Sequence, residues 1–391
     1  MSTLSKDLRS ASLLRQQRLA ALLARHKTSA ILVSSEKDIN YLTGFIGHDS
    51  LLLLHADASA RPRAFIISDA RYDEHLNPWR TAANTTVIMG TRHRLHEALT
   101  ALCKKRKIRS LAFQADNLTV ARHQAFASAL KPAKLISTAG LVAQLRMLKD
   151  ALELKSIQHA ISIQQEALAV TLSDVPVGTT EMQLSARLDF EMKFRGASGS
   201  SFTSIIGAGP NSAIPHHETG STPIAPGVLL IDWGAVYNGY CSDMTRTFVV
   251  GVFPRKIRDI YPIVLEAQMA AIASIAPGKT CSEIDAVARR IITKAGYGKY
   301  FNHGLGHSFG MDIHESPFFN SLQTDVTLQP GMVMTVEPGI YLPGVGGVRI
   351  EDDILVTGNG VKVLSSWPKD LNAAILNLKH TARRSSGRKR R

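Results

Sequence analysis

Val228-Leu229-Leu230-Ile231-Asp232-Trp233-Gly234-Ala235-Val236-Tyr237-Asn238-Gly239-Tyr240-Cys241-Ser242-Asp243-Met244-Thr245-Arg246-Thr247-Phe248-Val249-Val250 reads as two strands joined by a tight turn. Asn-Gly between apolar runs is a strong signal for a two-residue hairpin. With Asn238-Gly239 as the turn, Tyr237 pairs with Tyr240. Counting outward then puts Asp243 opposite Gly234 and Asp232 opposite Thr245. A strand's side chains alternate with period two, so both aspartates point to one face as diagonal neighbours. Gly234 has no side chain to fill the space beside Asp243. Two readings are open at this point: a solvated hairpin face, or a pair of metal-ligating carboxylates. Carboxylates sharing a face repel each other, and Trp233, Tyr237 and Tyr240 are unusual for a fully wet ribbon. Both facts favour the metal.

Three later segments add ligand types. His303-Gly304-Leu305-Gly306-His307 is followed by His314-Glu315. A helical zinc protease motif has Glu after its first His, but Gly304 stands there, and two glycines argue against a helix. The stretch reads as a loop presenting His307. Glu337 ends the apolar run Met332–Val336 and precedes Pro338, which favours extended backbone. Arg349 and Glu351 are expected on one strand face, where they could also be an ordinary ion pair. Asp232, Asp243, His307, Glu337 and Glu351 together form an oxygen-rich set suited to two hard or borderline divalent ions.

With these residues the chain resembles the pita-bread metallopeptidases, specifically the aminopeptidase P and prolidase branch. The matching segments are Asn211–His216, Ile231–Ala235, Ser242–Thr247, His303–His307, His314-Glu315, Glu337–Gly339 and Arg349–Asp352. Order and approximate spacing match up to about Trp367. The resemblance implies a fold of an α/β N-terminal domain of creatinase/prolidase type and an α+β pita-bread catalytic domain. The latter has two pseudo-symmetric halves enclosing the metals, although no repeat is evident in the sequence itself. It implies that Asp232 holds one ion, that His307 and Glu337 hold the other, and that Asp243 and Glu351 bridge both. A water or hydroxide clamped between the ions would be the nucleophile. Glu337 would transfer protons, His216 and His314 would stabilise developing charge or the leaving nitrogen, and His303, Tyr341 and Arg349 would bind substrate, with Arg349 also fixing Glu351. His217 is expected as a neighbour of His216 and not as a ligand. Manganese is the expected metal, with cobalt or zinc as alternatives. The expected substrate is a peptide or dipeptide with proline after the scissile bond, and the expected assembly is a homodimer.

Length and composition agree with this reading. A chain of 391 residues accommodates two domains. No apolar stretch reaches the length of a membrane span. Residues 1–27 are interrupted by charges and read as an amphipathic helix, not a signal peptide. Cys103, Cys241 and Cys281 are too few and scattered for a disulfide framework, so the expected compartment is the cytoplasm. The formal net charge is +14. Half of it comes from Lys379, Arg383, Arg384, Arg388, Lys389, Arg390 and Arg391 at the end of the chain. This tail, residues 379–391, is expected to be disordered and solvated, and contact with nucleic acid is the alternative.

In chain order, residues 1–147 alternate helix and strand patterns. Helices are expected over 13–24, 93–107 and 120–130, and strands over 30–33, 51–54, 64–67, 87–89, 111–113 and 134–136. A helix is expected to open at Asp69-Ala70-Arg71-Tyr72. Residues 150–368 form the second domain, with helices over 150–172, 180–195, 254–276 and 282–295, the hairpin between the two pairs, and strands from Val333 to Leu364. Methionine aminopeptidase shares the catalytic fold but lacks such an N-terminal domain. Creatinase-like members lose ligands that are all present here. The remaining alternatives are a pita-bread peptidase of another specificity and a non-catalytic binding module with a nucleic-acid-binding tail.

Overall fold

A computed structural model describes residues 4–56 and 61–376. The basic tail at 379–391 lies outside the described residues. The chain divides into two compact units, Met1–Arg146 and Met147–Arg391.

The first unit is built on a six-stranded mixed sheet. Its strands are β1 (Ala30–Val33), β2 (Leu51–Ala56), β3 (Pro62–Ser68), β4 (Thr85–Met89), β5 (Ser110–Gln114) and β6 (Lys134–Thr138), in the order β4-β3-β2-β1-β5-β6. The central strands read as unbroken apolar runs because both their faces are covered, and β1 is buried throughout. Helix Glu36–Thr43, absent from the sequence-based expectation, is capped by the Ser35 hydroxyl and stops at Gly44, whose φ of +73° is left-handed. The helix expected at Asp69 is only a three-residue 3-10 turn, Ala70–Tyr72. Asp69 accepts from the Arg71 backbone N–H and from its guanidinium, at 2.7–3.1 Å, which closes the turn locally.

The second unit contains two helix pairs, Ala151–Ser173 with Glu181–Phe194 and Arg255–Ser274 with Cys281–Lys294. One core gathers the first pair with strands Ile205–Ala208, Gly227–Trp233 and Met244–Val250. The other gathers the second pair with strands Val333–Val336 and Asp352–Thr357. The second helix of each pair is entered in the same way. Thr180 and Thr280 both build capping boxes, with Gln183 and Glu283. Gly178 and Gly278 precede them with φ of +88° and +85°. Thr180 bridges to Pro223 and Thr280 to Thr327. Val177-Gly178-Thr179-Thr180 and Pro277-Gly278-Lys279-Thr280 are therefore an internal repeat at a spacing of one hundred residues. Only a Gly and a Thr survive in it, too few to register without the geometry.

Pairing in this unit is mostly antiparallel. Ile205–Ala208, Gly227–Trp233 and Met244–Val250 lie side by side, with Ile375-Leu376 joining in parallel. A five-stranded sheet runs Glu315–Phe319, Gly306–Ser308, Val333–Val336, Asp352–Thr357, Gly360–Val363. A separate hairpin joins Gly339–Leu342 to Gly346–Arg349.

Candidate metal centre

The hairpin register is the expected one. Tyr237 pairs with Tyr240, Asp232 with Thr245 and Trp233 with Met244. Asn238 and Gly239 carry φ of +51° and +81°, the left-handed turn backbone that suits the twist of flanking strands. Trp233 is fully buried and its indole N–H donates to the Gln164 carbonyl at 2.9 Å. The ribbon is thus anchored in the core, and Asp232 and Asp243 are buried with it. Gly234 has a different reason from the one the sequence suggested. A Cβ there would stand 2.0 Å from the Ser242 carbonyl oxygen and 2.7 Å from Ser201 Oγ. The glycine admits close backbone, and space beside Asp243 is not the issue.

His307 lies on strand Gly306–Ser308, where the register slips between His307 and Ser308. Gly306 permits this approach, since a Cβ there would meet the Thr335 carbonyl oxygen at 2.2 Å. The Nδ1–H of His307 donates to the Ser308 carbonyl at 3.1 Å. That bond leaves the Nε2 lone pair directed at Asp243 Oδ2, 3.6 Å away, and Glu337 Oε1, 3.5 Å away. A histidine fixed by its second nitrogen is the arrangement a metal ligand needs. Glu337 follows strand Val333–Val336 and is held by its N–H, which donates to the Leu305 carbonyl at 2.8 Å.

Glu351 donates its N–H to the Thr245 carbonyl at 3.1 Å and accepts from the Thr245 hydroxyl at 2.8 Å. Contrary to the expectation from the sequence, Arg349 does not pair with Glu351. Its Nη2 donates to Asp232 Oδ2 at 2.6 Å and its Nε to Thr245 Oγ1 at 2.9 Å, so it reaches Glu351 only through Thr245. Strand Gly346–Arg349 ends before Glu351, which breaks the shared face on which the ion pair was expected.

One ligand atom from each of Asp243, His307 and Glu351 lies within 4.8 Å of the others. Asp232 and Glu337 open into the same cavity, of about 430 Å³, with His216, His303, His314 and Arg349. Four carboxylates there face one guanidinium. Burial drives the pKa of Asp243 and Glu351 well above the usual carboxylate range, and the neighbouring carboxylates add to it. Burial likewise pushes Glu337 up to about 8, with Arg349 opposing and Asp232 reinforcing the shift. Asp232 is raised by burial, against the pull of Arg349, and its buried Oδ1 has no hydrogen-bond partner among the described residues. Burial pushes His307 down to about 3, keeping it neutral and able to ligate. A buried set of acceptors with too little positive charge, plus a neutral imidazole, fits divalent cations by its donor chemistry.

The remaining predicted residues divide into two layers. His314 is on the wall, its ring 4.4 Å from that of His307 between centroids in a T-shaped arrangement. His216 is on the wall and exposed. His303 also lines the cavity, but both its nitrogens are engaged: Nδ1–H donates to the Gly304 carbonyl at 2.7 Å and Nε2 accepts from Tyr341 at 2.9 Å. The Tyr341 hydroxyl in turn accepts from Arg349 Nη1 at 2.9 Å. Tyr341 is buried behind His303 and Arg349, not on the wall where a substrate-binding residue was expected. His217 turns away from the cavity and pairs with Glu181 at 2.9 Å.

Sequence reasoning missed the apolar part of the wall: Phe202, Ile205, Ile313 and Phe318, with Thr203 and Asn320. These residues come from irregular or short segments without periodicity to mark them. It also passed over Thr245, although the hairpin count places it opposite Asp232. Asp353, whose Oδ2 accepts from the Asp243 N–H at 3.2 Å, carries a signal as one of three consecutive acidic residues, Glu351-Asp352-Asp353.

Comparison with known proteins agrees with this geometry. Residues 155–358 match the model of metallopeptidase family M24, and residues 15–148 match the creatinase/prolidase N-terminal domain. The chain is 35% identical to the peptidase YqhT of Bacillus subtilis over 91% of its own length and 98% of the relative's. It is 43% identical to a Xaa-Pro dipeptidase of Pyrococcus horikoshii over 59% of its length and 66% of the relative's. Among solved structures, a Xaa-Pro dipeptidase from Bacillus anthracis superposes with a TM-score of 0.87 at 38% identity, covering 93% of this chain and 100% of that one. An X-Pro aminopeptidase from Thermotoga maritima superposes with a TM-score of 0.84 at 31% identity, over 93% and 100%. With a pita-bread catalytic unit and a creatinase-type N-terminal unit, the chain belongs to metallopeptidase family M24.

Proposed function

We propose that the protein hydrolyses the bond between an N-terminal residue and proline, in a dipeptide or a longer peptide. The observation that carries this reading is one cavity in which Asp232, Asp243, His307, Glu337 and Glu351 converge beside His216 and His314. The named activities of the Pyrococcus, Bacillus anthracis and Thermotoga proteins support the choice of proline.

The five convergent residues would hold two divalent ions, Asp232 on one, His307 and Glu337 on the other, and Asp243 and Glu351 shared. When bound, such ions would make water a nucleophile at neutral pH and polarise the scissile carbonyl. The protein's own groups do the rest. Glu337 takes the proton released from the attacking water and returns it to the leaving nitrogen. His216 and His314 donate toward the charge that develops on the carbonyl oxygen. Arg349 and Thr245 keep Asp232 and Glu351 in place. Phe202, Ile205, Ile313 and Phe318 supply an apolar wall against which a proline ring can rest. Manganese is the metal in this reading, the compartment is the cytoplasm, and the active form is a homodimer. Among the described residues no helix is long and apolar enough to cross a membrane.

The test is metal-stripped protein titrated with Mn²⁺, Co²⁺ or Zn²⁺ and assayed on Ala-Pro and Ala-Pro-containing peptides. Activity should return at two ions per chain. Full turnover without metal would sink the reading.

A further inference from the structure

We propose that Glu181, partnered by His217, is a positioning residue for the reaction: it sets where His216 stands in the cavity. The inference rests on the peptidase reading above, in which His216 faces the substrate. His216 belongs to the stretch 214–226, which has no helix or strand and a single isolated bridge at Pro223. An imidazole on such backbone is placed only if something else fixes the loop.

Glu181 does so. It is fully buried at the start of helix Glu181–Phe194. Its Oε1 accepts from the Ala208 N–H at 2.8 Å and from Asn211 Nδ2 at 2.9 Å. Its Oε2 accepts from His217 Nε2 at 2.9 Å and from the Gly220 N–H at 3.1 Å. These four donors lie on both sides of His216 in the chain, and one is its immediate neighbour. Burial alone would raise the Glu181 pKa. The bonds from His217, Ala208, Asn211 and Gly220 outweigh it, and the net shift is downward. On the far side, Ser212 Oγ accepts from the Gly347 N–H at 2.9 Å, which ties the same loop to the hairpin carrying Arg349.

The internal repeat provides a control within the molecule. The position equivalent to Glu181 in the other half is Cys281, also fully buried, at the first residue of the same capped helix. There the side chain packs into the apolar core. The capped helix therefore forms without a buried carboxylate at its first position, and in both halves the box is closed by the residue two places on, Gln183 or Glu283. What distinguishes the first half is the loop that presents His216.

The experiment is a double-mutant cycle on the metal-loaded full chain with an Ala-Pro peptide. Glu181→Gln puts an amide N–H₂ against the Gly220 N–H or the His217 ring. It should lower kcat by roughly tenfold or more while KM changes by less than about threefold and metal content stays the same. In a His216→Ala background the same change should cost less than about twofold, because the group it positions is gone. His217→Ala should lower kcat, and His217→Gln, whose amide can still donate to Glu181, should recover most of it. If Glu181→Gln fails to fold, the His217 pair, run in both backgrounds, carries the test. Equal losses with and without His216, or an unchanged kcat in Glu181→Gln, would overturn the proposal. Amide exchange provides a readout independent of catalysis: Ala208 and Gly220 should exchange faster in Glu181→Gln, and unchanged protection overturns the clamp. A wild-type protein inactive on every X-Pro peptide would defeat the peptidase reading while leaving this measurement intact.

Discussion

Thr245 donates its hydroxyl hydrogen to Glu351 across 2.8 Å, and the same oxygen accepts from Arg349 Nε at 2.9 Å. One small side chain thus links the guanidinium that holds Asp232 to the carboxylate that closes the Asp243–His307–Glu351 cluster. All these groups are buried, so an unmade bond is not replaced by water. Thr245→Val keeps the shape and removes the link. It should weaken metal binding by about 10–100-fold, the usual effect of losing a partner behind a ligand. Thr245→Ser should stay close to the wild type. Calorimetric titration of the stripped protein with Mn²⁺ checks both, and equal affinity in the Val variant would remove Thr245 from the account.

Stripping the metal should make stability fall with rising pH. Glu337 is pushed up to about 8 in the folded chain, from an ordinary 4.5, chiefly by burial. Asp243 and Glu351 are raised further by burial and by their neighbours. A carboxyl with a raised folded pKa ionises first in the unfolded chain. From about pH 4.5 to about 8 the folded state therefore holds more protons, and stability declines across that window. Metal binding should abolish the decline and release protons as it does so. Chemical denaturation of the stripped and loaded protein at pH 5 and 8 provides the comparison, and a stripped protein equally stable at both would contradict it.

His314→Ala separates the wall from the ligands. The ring packs edge-on against His307 but belongs to no ligand cluster among the described residues. Turnover on X-Pro peptides should fall by about 10–1000-fold, as when a donor to a developing oxyanion is lost. Metal content should remain at two ions per chain. Loss of an ion would instead make His314 part of the metal site.

The sequence was most informative where geometry is local. Asn238-Gly239 fixed the register of the whole ribbon, because one turn type sets every later pair, and Asp232 opposite Thr245 followed by counting. The five ligand candidates could be identified by residue type and by resemblance, but their hydrogen-bond partners could not. Arg349 looks paired with Glu351 from two positions away, yet strand Gly346–Arg349 ends between them and the guanidinium turns to Asp232, 117 residues distant. Tyr341 sits in a hairpin whose twist carries it behind the wall. A Cβ at Gly339 would come within 2.5 Å of its hydroxyl, a close approach that no linear pattern reveals. Nothing in the sequence sets Glu181 apart from an ordinary acid in the first turn of a helix. Its role depends on a loop more than twenty residues downstream folding back over it. Long-range tertiary contacts of this kind leave no periodic trace.

Preference for proline is the prediction on which the substrate assignment stands. The X-Pro nitrogen is part of a tertiary amide. It carries no N–H, and its ring fixes φ near −65°. A peptidase that anchors its substrate through that N–H rejects proline. Outside the five ligand candidates, the wall of this cavity carries His216, His303, His314, Arg349, Thr203 and Asn320, whose Oδ1 already accepts from the Leu322 and Gln323 N–H groups, and an apolar side of Phe202, Ile205, Ile313 and Phe318. His303 has no nitrogen left over, since one donates to Gly304 and the other accepts from Tyr341. A ring that needs only shape and apolar contact suits such a wall, and its rigidity reduces the entropy lost on binding. Ala-Pro-containing peptides should therefore be turned over faster than Ala-Ala peptides of equal length by tenfold or more, which corresponds to about 1.4 kcal/mol in the transition state. Phe318→Ala should erode that ratio more than it lowers turnover of Ala-Ala peptides, because it removes apolar wall; Phe318 pairs with His307 across the sheet, its ring 6.5 Å from the imidazole, so metal content is measured alongside. Measuring kcat/KM for both peptides in both proteins decides the matter, and equal values for the two peptides in the wild type would overturn the assignment to proline.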